Sequence, residues 1–190
     1  MQQQRPCETI IAKNGLVFVK LTPNKFNLTF DVNNKNIMLP SIINFDLIQL
    51  LEQLNPNIFE SIITTQDGKV GEDGKVGKMD ILLRDIFCDL GLPQYYLAFN
   101  IYKYDYETNK IVFKFVANAN ATMYPAEVEL LPIQCINLQF HIVNCHSIKI
   151  NCDMDLIDKH NIPSFSEKMI GNIIYNIFNR LKQFIEKLTF

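Results

Sequence analysis

The stretch from Ser164 to Phe190 limits what this chain can fold into more than any other segment. Ile170, Ile173, Ile174, Ile177, Phe178, Leu181, Phe184, Ile185 and Leu188 recur at three- and four-residue spacing, which puts them on one face of a helix. Ser164 and Glu167 stand at capping-box spacing, where each side chain can satisfy a backbone N–H of the other residue. At 1.5 Å per residue the helix runs about 35 Å. An apolar stripe of that length must be buried, and Ile174 lies near its centre. The segments before it read as strands, so a sheet is the predicted partner.

The chain has 190 residues, which suits one domain spanning 1–190. Hydrophobic residues make up 48% of it, enough to bury a real core. A net charge of −2 gives no general electrostatic reason to expect nucleic acid or an anionic membrane as a partner. The five cysteines, Cys7, Cys88, Cys135, Cys145 and Cys152, are odd in number and form no CxxC pair. Residues 1–9 read as a loose terminus without the apolar segment of a secretory signal, so free thiols and a cytoplasmic location are expected. No apolar run is long enough for a transmembrane helix.

Leu16–Leu21 and Lys25–Val32 read as two strands around Thr22-Pro23-Asn24, the second alternating Phe26, Leu28 and Phe30 with polar residues. Asn44 is placed to cap a helix carrying Leu47, Ile48, Leu51 and Leu54. Asn55-Pro56 would restart the chain as a second helix with Ile58, Phe59, Ile62 and Ile63. Residues 66–79 hold a tandem hexapeptide with glycine at 68, 71, 74 and 77. They read as a flexible excursion whose removal should cost little stability. Asp80 would cap a third helix through Leu90, ended by Gly91 and Pro93.

From Tyr95 to Met154 the pattern is an antiparallel meander. Leu97, Phe99 and Ile101, then Ile111, Phe113 and Phe115, mark two apolar faces; Ala126–Leu131 is weaker. In the last hairpin Ile136, Leu138, Phe140 and Ile142 oppose Asn137, Gln139 and His141, and Ile148, Ile150, Cys152 and Met154 face the core. The predicted fold is α+β: a curved antiparallel sheet of about six to seven strands on a long C-terminal amphipathic helix, with a helical insertion between strands 2 and 3. That order of elements is similar to helix-grip, START-like lipid-binding folds. It is also similar to tubular lipid-binding domains, in which a sheet wraps a long helix. Both resemblances are at the level of fold and rest on no motif.

No catalytic constellation stands out. Cys135, His141, Cys145, His146 and Cys152 are close in sequence, but strand geometry sends them to different faces and leaves no fourth ligand for zinc. Cys145-His146 are adjacent turn residues without an orienting third group. Asp153, Asp155, Asp158 and His160 lack the glycine and terminal glutamate of a calcium loop. Tyr95, Tyr96, Tyr102, Tyr104 and Tyr106 with Lys103 and Lys110 could stack bases, but the chain is acidic and no arginine cluster accompanies them. Gly74-Lys75 is followed by Val76, so no phosphate-binding loop forms. The terminal helix carries Lys168, Arg180, Lys182 and Lys187 against Glu167 and Glu186, which is only mildly basic for a membrane-surface helix.

No catalytic residue, metal, cofactor or nucleic-acid partner is therefore expected. The reading is a non-enzymatic binding protein whose sheet and terminal helix enclose an apolar core, or a cavity for a lipid-like ligand. Phe99, Phe113, Phe115, Phe140, Ile150, Ile174 and Phe178 are the candidate lining residues. The alternative is a structural or adaptor protein with a filled core, acting through protein contacts.

Overall fold

The computed structural model describes residues 7–66, 74–86, 91–106, 109–118, 127–157 and 164–189. Among the described residues there are ten strands: β1 (Glu8–Lys13), β2 (Leu16–Thr22), β3 (Lys25–Asn33), β4 (Phe59–Gln66), β5 (Lys75–Leu83), β6 (Tyr95–Tyr106), β7 (Lys110–Ala117), β8 (Glu129–Leu130), β9 (Ile133–Asn144) and β10 (Ser147–Leu156). They form one sheet in the order β1-β2-β3-β10-β9-β7-β6-β5-β4, and β8 pairs in parallel with β6. All other pairings are antiparallel. The β3–β10 pairing makes the first and last strand groups neighbours. Helix α1 (Phe45–Leu54) follows a 3-10 turn at Leu39–Ile42, and α2 (Ser164–Lys187) closes the chain.

The predicted class is correct, but the strand number is ten where six to seven were expected. Three differences account for most of this. Residues 8–13 are a strand, although 8 and 9 had been assigned to a loose terminus. Its hairpin to β2 turns on Asn14-Gly15, both at positive φ (52° and 75°), the geometry that pair favours in two-residue hairpins. The expected second helix is β4. Its apolar residues Phe59, Ile62 and Ile63 fit a helical period, but the run FESIITTQ is rich in β-branched residues and finds a pairing partner in β5. The first part of the expected third helix, Asp80–Leu83, belongs instead to β5, in which Met79, Ile81 and Leu83 alternate at strand spacing; Arg84–Ile86 are not helical, and 87–90 lie outside the described residues.

The glycine excursion is correspondingly shorter than 66–79. Gln66 belongs to β4 and Lys75–Met79 to β5, while 67–73 lie outside the described residues. Gly77 is tightly placed: a Cβ there would stand 2.3 Å from the Thr65 carbonyl oxygen. Gly77→Ala should therefore destabilise by about 1–3 kcal/mol, as overpacking does. Urea unfolding measures it, and an unchanged midpoint would mean β4 and β5 part before this point.

Asn44 caps α1 as expected, its Oδ1 accepting from the Leu47 N–H at 3.2 Å. Asn55 ends α1 instead of starting another helix, and Arg180 of α2 donates to the Leu54 carbonyl (3.1 Å) and to Asn57 Oδ1 (2.6 Å) just beyond it. The C-terminal end of α2 is held by Asn34, which is 4% exposed; its Nδ2 donates to the Ile185 and Leu188 carbonyls at 2.6 and 2.9 Å. His146, in the β9–β10 turn, braces the same loop through Nδ1 against the Ile37 carbonyl (2.8 Å).

Helix α2 makes its close approaches to β1, β2, β3 and α1. Its most buried positions among the described side chains are Glu167, Gly171, Tyr175, Leu181 and Ile185. Ile174 and Phe178 are half-buried, so the centre of the buried stripe lies one residue from where periodicity put it. Gly171 permits the approach: a Cβ there would lie 2.9 Å from Ile10 Cγ2. Tyr175 accepts from Asn14 Nδ2 at 2.7 Å and stacks beneath the Lys13 ammonium, tying the first hairpin to the helix. Helix α2 begins at Ser164, whose side chain lies outside what is described; Glu167 is engaged elsewhere, with Lys20.

Candidate functional site

Strand register sorts the residues into an inner face, toward α2, and an outer face. Three inner rows cross the sheet. The first runs Phe30, Ile150, Phe140 and Ile111. The second runs Phe18, Leu28, Cys152, Leu138 and Phe113. The third runs Phe26, Met154, Ile136, Phe115 and Ile101. All these residues are apolar. The same strands carry Asn27, Asn151, Asp153 and Gln139 on the outer face, where three amides converge on the Asp153 carboxylate at 2.6–3.2 Å. Period-2 alternation produces this division.

The five expected lining residues on the sheet all lie on the inner face. Phe99 and Phe115 meet edge to face with centroids 6.0 Å apart, and Phe113 and Phe140 do so at 6.1 Å. Ile150 is the register partner of Phe140. Phe178 reaches the group through Phe30, at 5.8 Å. The floor of the face is packed side chain to side chain: Ile101 exposes 0% of its surface and Phe113 1%. Around it stands a half-buried apolar rim, with Ile111, Ile136 and Ile142 on the sheet and Ile173, Ile174 and Ile177 on the helix.

Charges appear only at the ends of the inner rows. Lys103 and Asp105 form an ion pair of 3.0 Å beyond Phe113 and Ile111. Lys20, beside Phe26, is ion-paired with Glu167 in the first turn of α2, their side chains 23% and 9% exposed. Sequence reasoning assigned Glu167 to a cap and gave Lys20 no role; neither residue breaks a local pattern, so nothing pointed to the pairing. Glu167→Ala leaves an ammonium facing apolar neighbours and should cost about 2–3 kcal/mol, somewhat less than for a fully buried pair because Lys20 keeps some solvent contact. The double substitution Lys20→Met with Glu167→Leu should recover most of that loss. If Glu167→Ala alone is neutral, the pair does not hold α2.

The polar candidates do not converge. Cys152 is buried on the inner face, where burial pushes its thiol pKa far up. Cys135 is also raised, chiefly by burial, so neither thiol is an activated nucleophile. His146 is occupied by backbone carbonyls. Asp155 faces Lys25 at 3.9 Å; Asp158 and His160 lie outside the described residues. Among the described residues no three His, Cys, Asp or Glu side chains could hold a metal ion together. Of the tyrosines of β6, Tyr96, Tyr102, Tyr104 and Tyr106 stand on the outer face, Tyr106 being 52% exposed, while Tyr95 shares the inner face and packs against the core. An open surface depression lies elsewhere, a groove of about 410 Å³ lined by Leu54, Arg180, Gln183, Phe184, Lys187 and Leu188 where α1 ends against α2. Among the described residues no helix is long and apolar enough to cross a membrane.

No family model matches the sequence, and no curated protein does. Solved structures do match. Human StAR-related lipid transfer protein 5 aligns over 98% of this chain and 88% of its own, with a TM-score of 0.67 at 7% identity. The lipid transfer and protein localization domain of human StarD13 aligns over 97% and 91%, at 0.66 and 11%. A STAR-related lipid transfer protein from Xanthomonas axonopodis aligns over 96% and 100%, at 0.65 and 8%. The likeness is one of fold: this chain has the curved antiparallel sheet and C-terminal helix of the STAR-related lipid transfer structures.

Proposed function

We propose that the chain is a non-enzymatic binding protein that takes a lipid-like apolar molecule between the inner face of the sheet and α2. The observation that carries this reading is the inner face itself, on which three successive cross-strand rows contain apolar side chains from β3 to β7. The fold shared with lipid transfer proteins supports it. Phe99, Phe113, Phe115, Phe140 and Ile150 would form the floor of the site. Ile174 and Phe178 would form part of its roof, in contact with the acyl or ring portion of the ligand. Because the floor is packed, a ligand would occupy the half-buried rim and displace the helix flank outward.

Native mass spectrometry of freshly purified protein tests for a retained ligand. A panel of fatty acids, phospholipids and sterols tests for stabilisation. At a hundred times Kd, mass action adds about 2.7 kcal/mol, or roughly 5–10 °C in Tm for a chain of this size. No retained mass and no shift across the panel would overturn the proposal. A second reading, a structural or adaptor protein with a filled core, is favoured by the near-zero exposure of Ile101 and Phe113, and that negative result would select it. We place the protein in a reducing compartment such as the cytoplasm: Cys7, Cys135, Cys145 and Cys152 are free. Thiol counting in denaturant without reductant should return five, and finding two disulfides would overturn the placement.

A further inference from the structure

One end of the sheet combines cations and exposed apolar side chains in a way the interior does not explain. On the outer face Lys110 of β7, His141 of β9 and Lys149 of β10 are direct cross-strand neighbours in a single row. Directly opposed residues have Cβ atoms about 5 Å apart, and like charges so placed repel. Among the described residues no acidic side chain forms an ion pair with either lysine. Asp31 of β3 stands beyond Lys149 in register without closing on it, and Asp105 is taken up by Lys103. On the other side the Lys110 ammonium lies over the Tyr106 ring at 5.9 Å.

Apolar groups project at the same end. Val143, two residues beyond His141 where the β9–β10 register shifts, is 66% exposed, and Tyr106 is 52% exposed. Met38, 62% exposed, sits in the loop after β3. That loop is pinned against the β9–β10 turn by the Leu39 N–H to Cys145 carbonyl bond of 2.8 Å and by His146 against Ile37. The apolar tips are therefore set on a rigid base beside the cationic row. Nothing in the core needs them outside.

We infer that this end of the domain docks on an anionic lipid bilayer, with Val143, Met38 and Tyr106 entering the headgroup boundary and Lys110 and Lys149 facing the lipid phosphates and carboxylates. Lysines with apolar stems suit this position, since the ammonium reaches the interface while the stem stays with the apolar groups. A cationic row with exposed apolar tips fits a surface that presents negative charge over an apolar layer. An acidic peptide would need the charges and leave the tips unused. His141 adds a proton dependence. Its pKa is lowered, first by burial and then by Lys110 and Lys149, and its flanking groups are those two lysines, with Tyr106 and Asp31 one strand further out. Below its ordinary range the imidazole gains a proton and the row a third positive charge, so binding should rise as pH falls.

Co-sedimentation of the full chain tests this, with vesicles of phosphatidylcholine alone or with about one third phosphatidylserine. The protein should sediment with the mixed vesicles and not with phosphatidylcholine. Lys110→Glu with Lys149→Glu should lower the affinity by at least about tenfold. Met38→Asp with Val143→Asp should do likewise, and both pairs are surface changes that leave the melting temperature unchanged. Lys168→Glu, an exposed position near the opposite end of α2, should change binding less than about twofold. His141→Gln should remove the rise at low pH. Equal binding to both vesicle types, equal loss in Lys168→Glu, or competition by soluble polyglutamate as effective as that by vesicles would overturn the inference. The last result would point to an acidic protein partner. The readout is independent of whether the interior holds a ligand, so this inference and the proposed function fail separately.

Discussion

Phe113→Ala should unfold about 3–5 kcal/mol more easily than the wild type, as truncation of a buried phenylalanine does. Phe113 closes the second inner row, 1% exposed, with its ring edge-on to Phe140 and Leu138 as its register partner. The loss combines the transfer energy of the ring with the space left behind, because β6 and β9 are hydrogen-bonded on either side of β7 and cannot close in. An apolar space of that size stays dry and accepts a small hydrocarbon. Benzene should therefore raise the melting temperature of Phe113→Ala and leave the wild type unchanged. Calorimetry with and without benzene measures both. A loss below about 1 kcal/mol would mean that the floor is loose at Phe113 and the interior already open.

Leu181→Lys should be as damaging or more so, about 4 kcal/mol or beyond, since a buried leucine is lost and an ammonium is placed among apolar neighbours. For a domain of typical stability, about 5–15 kcal/mol, that leaves little folded protein. Leu181 is 3% exposed on the side of α2 that meets the core. Ile174→Lys should cost less, about 1–2 kcal/mol, because a half-buried position lets the long side chain carry its charge to water. Asn172→Lys, at an exposed position, should stay within about 0.5 kcal/mol. Urea midpoints of the three variants, followed by circular dichroism, give the ranking. Equal losses in Ile174→Lys and Leu181→Lys would mean that α2 is rotated about its axis from the orientation described.

These variants also mark how far the sequence could be read. Periodicity identified the terminal helix and its apolar side, because a 3.6-residue repeat sustained over 24 residues has one interpretation. It could not resolve which residue of that side lies innermost. Tyr175, with a polar hydroxyl, was not counted, yet it is buried because Asn14 supplies the hydrogen bond from 161 residues away. The last hairpin and the inner positions Phe99, Phe113, Phe115, Phe140 and Ile150 were legible for a similar reason, since long alternating strands allow one register of faces. Residues 58–63 and 80–86 suggest helices because short apolar runs satisfy both periods, yet none of them is helical. The β1 hairpin was missed although Asn14-Gly15 signals it.

The sequence by itself determined the terminal helix, the alternating strands of the second half and the apolar character of one sheet face, since each follows from a period written in consecutive residues. Only the tertiary structure decided that β3 joins β10 to make one ten-stranded sheet, that Lys20 closes on Glu167, that Asn34 holds the end of α2, and that Lys110, His141 and Lys149 form one row. Each of these depends on a contact between residues far apart in the chain. Local spacing carries no trace of such a partner, because the free energy that selects it comes from pairing and burial and not from the conformational preference of either segment.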